Sequence, residues 1–212
     1  DLVVRGGEVI TAGGRARCDV GVKDGRIAAL GENLAGGAVR TLDASGLWVL
    51  PGGVDSHVHI AQPSGPGITM ADDFASATAA AACGGNTTVM PFALQQRGQG
   101  LRATVEAYHE KARGNCHIDV SFHLIISDAT PAVLGQELPA LVKAGYTSFK
   151  VFMTYDDLVL DDRSLLEVMD VAKREQALVM VHAEGYDSLK FMTDRLEAEG
   201  KTAPYYHGPS RP

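Results

Sequence analysis

The sequence predicts an α/β protein in which a parallel sheet wrapped by helices follows a small all-β module. Up to about residue 48, short β-prone runs alternate with tight turns; from Leu47 onward strand, loop and helix repeat in turn. That second rhythm is the order of elements that buries a parallel sheet under crossover helices. Of the 212 residues 45% are apolar, an ordinary globular share that suffices for a packed core. The expected division is therefore 1–48 for the β module and 49–212 for the α/β part.

In the first part, Leu2-Val3-Val4, Glu8-Val9-Ile10-Thr11, Asp19-Val20-Gly21-Val22-Lys23 and Arg26-Ile27-Ala28-Ala29-Leu30 read as strands. Asp24-Gly25 between the last two is a hairpin signal, because both turn residues must take positive φ. The module shows no site of its own and is read as a structural sheet. In the second part, strands are expected over 48–60, 86–92, 118–126, 147–153 and 178–183. Helices are expected over 71–83, 102–113, 131–144, 162–176 and 188–200, with Pro139 breaking the third into two pieces and 202–209 as loop. Acids at helix starts (Asp72, Asp73, Asp161, Asp162) and glycines past helix ends (Gly84-Gly85, Gly114, Gly145) complement the helix dipole and the left-handed C-terminal cap.

Composition narrows the partners and the compartment. A formal net charge of −7 and the lack of any Lys/Arg-rich run argue against nucleic acid and anionic membrane. Three cysteines, Cys18, Cys83 and Cys116, are odd in number and widely spaced, which argues against a disulfide framework and a thiolate zinc site and points to a reducing cytoplasm. No stretch approaches the roughly 20 apolar residues of a membrane span, and residues 1–7 lack the layout of a signal peptide. A soluble, unsecreted protein is expected, whose start at Asp1 rather than Met suggests trimming or further residues upstream.

Candidate chemistry begins with Asp55-Ser56-His57-Val58-His59. Side chains alternate along a strand, so His57 and His59 share a face and both imidazoles can reach one divalent metal. Two unrelated strand histidines are the alternative. In barrels of repeating strand and helix, reactive groups sit at the C-terminal strand ends. Lys150 lies on the fourth expected strand, on one face with Ser148 and Phe152. A free ammonium there would be desolvated, at a cost of several kcal/mol unless paired. Either a carboxylate partners it, or the amine has combined with carbon dioxide to give a carbamate able to bridge two metals. His182 ends the fifth strand. His109, His117, His123 and His207 occupy positions that suit packing and hydrogen bonding instead.

Taken together, these positions resemble the amidohydrolase superfamily, and more narrowly its hydantoinase and dihydropyrimidinase family, in the bacterial D-selective branch. The resemblance runs along the whole chain, through Leu50-Pro51-Gly52-Gly53-Val54-Asp55-Ser56-His57-Val58-His59, Ala71-Asp72-Asp73-Phe74, Gly84-Gly85-Asn86-Thr87-Thr88, residues 148–155 and Val181-His182-Ala183-Glu184. It implies a (β/α)8 TIM-type barrel, with its first five strands present, and a small N-terminal β-sandwich portion. It also implies two zinc ions bridged by carboxylated Lys150, one held by His57 and His59 and the other by His182. The activity implied is hydrolysis of a small neutral cyclic amide, a hydantoin or dihydropyrimidine, to an N-carbamoyl amino acid, in a homo-oligomer that the family forms as a tetramer. Tyr155 would donate to the developing oxyanion, and Phe152 with residues 62–70 and Leu158-Val159 would shape the substrate pocket.

The family adds a histidine after strand six and an aspartate after strand eight, and neither strand is present before Pro212. The chain is thus expected to be an N-terminal half, insoluble and inactive if expressed alone, because strands one and five would be open edges. Dihydroorotase is a rival, although its first motif continues with an arginine where this chain has Ile60-Ala61-Gln62. Allantoinase stays open, as does a non-catalytic scaffold homologue, against which the retained His57, His59, Lys150, His182 and Tyr155 argue.

Overall fold

Asp24 and Gly25 take φ of 50° and 71°, so the dipeptide forms the positive-φ turn that a tight hairpin requires. The computed structural model describes residues 1–34 and 36–212, which divide into the units Asp1–Gly53 and Val54–Pro212. The first unit holds β1 (Leu2–Arg5), β2 (Glu8–Thr11), β3 (Gly14–Arg17), β4 (Asp19–Lys23), β5 (Arg26–Gly31), β6 (Arg40–Asp43) and β7 (Trp48–Val49). One sheet runs β5-β4-β1-β6 and a second runs β3-β2-β7. Asp19 is buried and ties loops to the first sheet: its carboxylate accepts from the Gly6 N–H at 2.9 Å and the Leu34 N–H at 3.1 Å. The Gly6 bond, seconded by Leu34, holds its carboxyl below the usual carboxylate range.

The α/β part follows: β8 (Gly53–Val58), α1 (Phe74–Cys83), β9 (Asn86–Leu94), α2 (Leu101–Ala112), β10 (Asp119–Val120), β11 (His123–Ile125), α3 (Leu138–Lys143), β12 (Ser148–Phe152), α4 (Asp162–Glu175), β13 (Leu178–His182) and α5 (Tyr186–Ala198). The sheet runs β10-β9-β11-β12-β13, all parallel, with β8 paired to β9, and forms a half-barrel. β10 and β11 meet β9 in one register, Asp119 opposite Thr88 and His123 opposite Phe92, so they are a single run interrupted at Ser121-Phe122. The core between sheet and helices is built on Phe74, Phe122, Leu124, Ile126, Phe149 and Val168, all essentially inaccessible.

Local chemistry sets the helix ends. Asp73 caps α1 by accepting from the Ser76 N–H at 2.8 Å, and Ser76 Oγ accepts in return from the Asp73 N–H at 3.2 Å. Asp161 caps α4 by accepting from the Ser164 N–H at 2.7 Å. Past α1, α2 and α3 the chain turns at Gly85, Gly114 and Gly145 with φ of 89°, 73° and 106°. α4 ends on Gln176, which takes the left-handed conformation without being glycine.

Three expectations need correction. The run 48–60 is two strands, because Pro51 has no N–H for a ladder: Trp48–Val49 pairs with β2, and β8 starts at Gly53. Pro139 does not break the third helix. It leaves the preceding turn one donor short, and Val133–Glu137 widens into a π-helical turn, with the Leu138 N–H reaching the Val133 carbonyl, before α3 continues. The terminal loop carries a short 3-10 turn, Pro204–His207. Among the described residues no helix is long and apolar enough to cross a membrane.

Candidate active site

His57 lies on β8 and His59 just past its last residue, Val58, with ring centroids 5.6 Å apart. Phe92 of β9 backs both rings, at 4.7 Å from His57 and stacked at 5.1 Å on His59. Beneath them His123 is buried, and its Nε2–H donates to the Ser56 carbonyl at 2.8 Å while Nδ1 accepts from the Ser148 hydroxyl at 2.5 Å. A carbonyl can only accept, so Nε2 carries a proton. Burial pushes its pKa below the ordinary histidine value, against the Ser56 bond, with the charges of His57 and Lys150 adding to the fall. The ring thereby ties the strand bearing the two exposed histidines to β12.

On β12, Lys150 is only 9% exposed, and its Nζ lies 5.2 Å from the Phe152 ring centroid. Burial holds its pKa below the usual lysine value. Among the described residues no carboxylate forms an ion pair with it, so the paired-lysine alternative finds no partner among them. At the end of β13 the His182 Nε2–H donates to Glu184 at 2.6 Å, and the other carboxylate oxygen of Glu184 is 3.1 Å from Arg211 Nε. The Nδ1 lone pair of His182 is left available. Likewise His59 Nδ1–H donates to the Gln62 amide oxygen at 2.6 Å, leaving Nε2. Such outer partners fix the tautomer and aim of a metal-ligating imidazole.

Tyr155 takes φ of 73°, and its ring meets His182 at 5.1 Å and Phe152 at 6.0 Å. A cavity of about 260 Å³ is lined by His57, His59, Phe92, Ile125, Lys150, Phe152, Tyr155 and His182. All six residues expected from the sequence are in its wall. Of the segments expected to shape the pocket, only Phe152 is there; Gln62 acts through His59, and Leu158 lines a separate hollow. That hollow, about 720 Å³ between the loop after β12 and α5, shares only Tyr155 with the cavity, so the smaller one is the site of interest. The bonds from Gln62 to His59, from His182 to Glu184 and from His123 to β8 lie outside the expectations from the sequence. For Glu184 a signal existed, since a carboxylate two residues after a strand-end histidine lies within its reach.

The amidohydrolase family model matches residues 48–211. The chain belongs to the amidohydrolase family. Among this amidohydrolase's curated relatives, a D-hydantoinase of Rhizobium radiobacter is 46% identical over all of this chain and 46% of its own length. The D-hydantoinase structure from Bacillus sp. AR9 superposes with a TM-score of 0.95 at 42% identity. The dihydropyrimidinase structure from Brevibacillus agri gives 0.94 at 41%, and in both cases all of this chain matches 46% of the other. The chain thus spans about half the length of the relatives it matches. The L-hydantoinase of Arthrobacter aurescens, at 24% identity and a TM-score of 0.84, shares the fold.

Proposed function

We propose that this amidohydrolase chain carries the metal-binding half of a cyclic amidase that opens hydantoins and dihydropyrimidines to N-carbamoyl amino acids. The observation that carries the reading is the single cavity lined by His57, His59, Lys150, His182 and Tyr155. The names of the relatives, D-hydantoinase and dihydropyrimidinase, support the substrate class. Among the described residues no group of three or more His, Cys, Asp and Glu side chains is gathered as a metal site. The donor set fits a binuclear centre through the lysine: a nearly inaccessible amine without an ion-pair partner among the described residues, its pKa lowered by burial, is the form that adds to carbon dioxide. His57 and His59 would hold one zinc, His182 the other, and carboxylated Lys150 would bridge them.

When bound, the two zinc ions would activate water and polarise the amide carbonyl. Tyr155, 41% exposed at the cavity, donates its O–H to that carbonyl oxygen as charge develops there. Phe152 and Phe92 supply apolar walls that exclude bulk water. Water adds to the carbonyl carbon, the ring C–N bond breaks, and the nitrogen leaves with a proton. No arginine follows His59, where Ile60-Ala61-Gln62 stands, which supports a neutral ring over an acidic one. Three free cysteines support a cytoplasmic setting, and a homotetramer is proposed from the family resemblance. The test is metal analysis of the intact protein with hydantoin and dihydrouracil assays: two metals and ring opening are expected, and metal-free turnover would refute it.

A further inference from the structure

The loop after β12 carries Tyr155 in a left-handed backbone conformation that L side chains avoid, so something must hold it. Part of the hold is local: the Leu158 and Val159 N–H groups both donate to the Tyr155 carbonyl, at 2.9 and 2.8 Å, and the Leu160 N–H reaches the Phe152 carbonyl at 3.0 Å. The rest comes from a distant loop. Arg97, between β9 and α2, donates Nη2–H to the Val159 carbonyl at 2.8 Å and Nε–H to the Asp157 carbonyl at 3.4 Å. A rigid guanidinium fork can fasten two carbonyls of one turn, which an ammonium cannot do with fixed geometry.

Arg97 is itself anchored. Buried Gln95 accepts from the Ser127 and Asp128 N–H groups, both at 3.1 Å, and donates to the Gln99 carbonyl at 2.8 Å. The Gly98 N–H donates to the Asp128 carboxylate at 2.8 Å. On the opposite flank of Tyr155, Asp156 accepts from the Tyr186 hydroxyl at 2.5 Å, with Lys190 at 3.8 Å. The phenol therefore stands on a turn pinned from two sides, and Arg97 is absent from the cavity wall.

We infer that Arg97 is a positioning residue for Tyr155, fastening the turn so that the phenol is held ready over the cavity. The inference rests on the role proposed above for Tyr155. The experiment is a double-variant cycle in the intact, metal-loaded protein, with kcat for dihydrouracil opening and hydrogen exchange of the Leu158 and Val159 amides as readouts. Tyr155→Phe is expected to lower kcat by about 10²–10³. Arg97→Ala should lower it on the order of 10-fold at unchanged metal content, as misplacement of a reacting group does, and Arg97→Lys should recover it only in part. In the Tyr155→Phe background Arg97→Ala should cost almost nothing more, while the two amides exchange faster in either background. An equal loss of kcat from Arg97→Ala in both backgrounds, or unchanged exchange, overturns the inference alone. Unchanged kcat in Tyr155→Phe overturns the role of Tyr155 and with it the purpose of the clamp.

Discussion

His123→Leu is the perturbation whose size the structure defines best. The imidazole is 3% exposed and joins the Ser56 carbonyl, at 2.8 Å, to the Ser148 hydroxyl, at 2.5 Å. Leucine keeps most of the volume but leaves two buried polar groups without these partners, each worth about 1–3 kcal/mol. The Ser148 hydroxyl can rotate toward another acceptor, whereas the Ser56 carbonyl is fixed in its strand, so a loss of about 3 kcal/mol is expected. Urea unfolding of the intact protein reads it as a lowered midpoint at constant m. Because His123 has a folded-state pKa below its ordinary value of 6.5, only the unfolded chain takes up the proton as pH falls below that value. The His123 contribution to stability should therefore be level above about pH 6.5, fall with pH below it, and flatten once the folded state protonates too. His123→Leu lacks this slope, so the gap between the two proteins narrows as pH falls. A loss under about 0.5 kcal/mol, the range of ordinary surface changes, or a gap that widens in acid, would refute the reasoning.

Tyr155→Phe should keep its metal, measured by elemental analysis, while kcat falls by about 10²–10³; unchanged kcat, where chemistry limits the rate, would make Tyr155 an ordinary loop residue. Glu184→Gln keeps an acceptor for His182 but removes the charge set between it and Arg211, and metal affinity by competitive chelation should fall on the order of 10-fold. An affinity within twofold of wild type would mean that Glu184 leaves the imidazole's basicity untouched. Arg97→Lys should raise exchange at Leu158 less than Arg97→Ala does, because one donor can still reach a carbonyl.

What was legible in the sequence is what local chemistry controls. Asp24-Gly25 declares its turn, Asp73 and Asp161 declare their caps, and Gly85, Gly114 and Gly145 mark chain reversals that other residues adopt at a cost. The site was legible for a related reason. Strand alternation puts His57 and His59 on one face and a strand end marks His182, while the family resemblance is what joins them with Lys150 as one candidate site. Apolar patterning carries a strand through Pro51, whose missing N–H ends it, and Pro139 signals a break that a π-turn absorbs. The supports around the site were hidden because they join residues far apart in the chain through side chain and carbonyl. Arg97 to Val159 and His123 to Ser56 leave no periodicity and use a backbone group that every residue carries.

The central claim is that Lys150 acts as a carbamate between two metals, and metal uptake with and without carbon dioxide tests it most directly. The intact protein, stripped of metal, is offered zinc in carbon dioxide-depleted buffer and then with ¹³C-bicarbonate. The account predicts weak uptake at first, full uptake once bicarbonate is present, and a ¹³C carbamate signal that disappears in Lys150→Ala. That variant should regain metal in part with short carboxylic acids, which supply the bridging anion, whereas Lys150→Arg should not, since its guanidinium stays cationic. Full metal occupancy in Lys150→Ala without added carboxylate would contradict the claim.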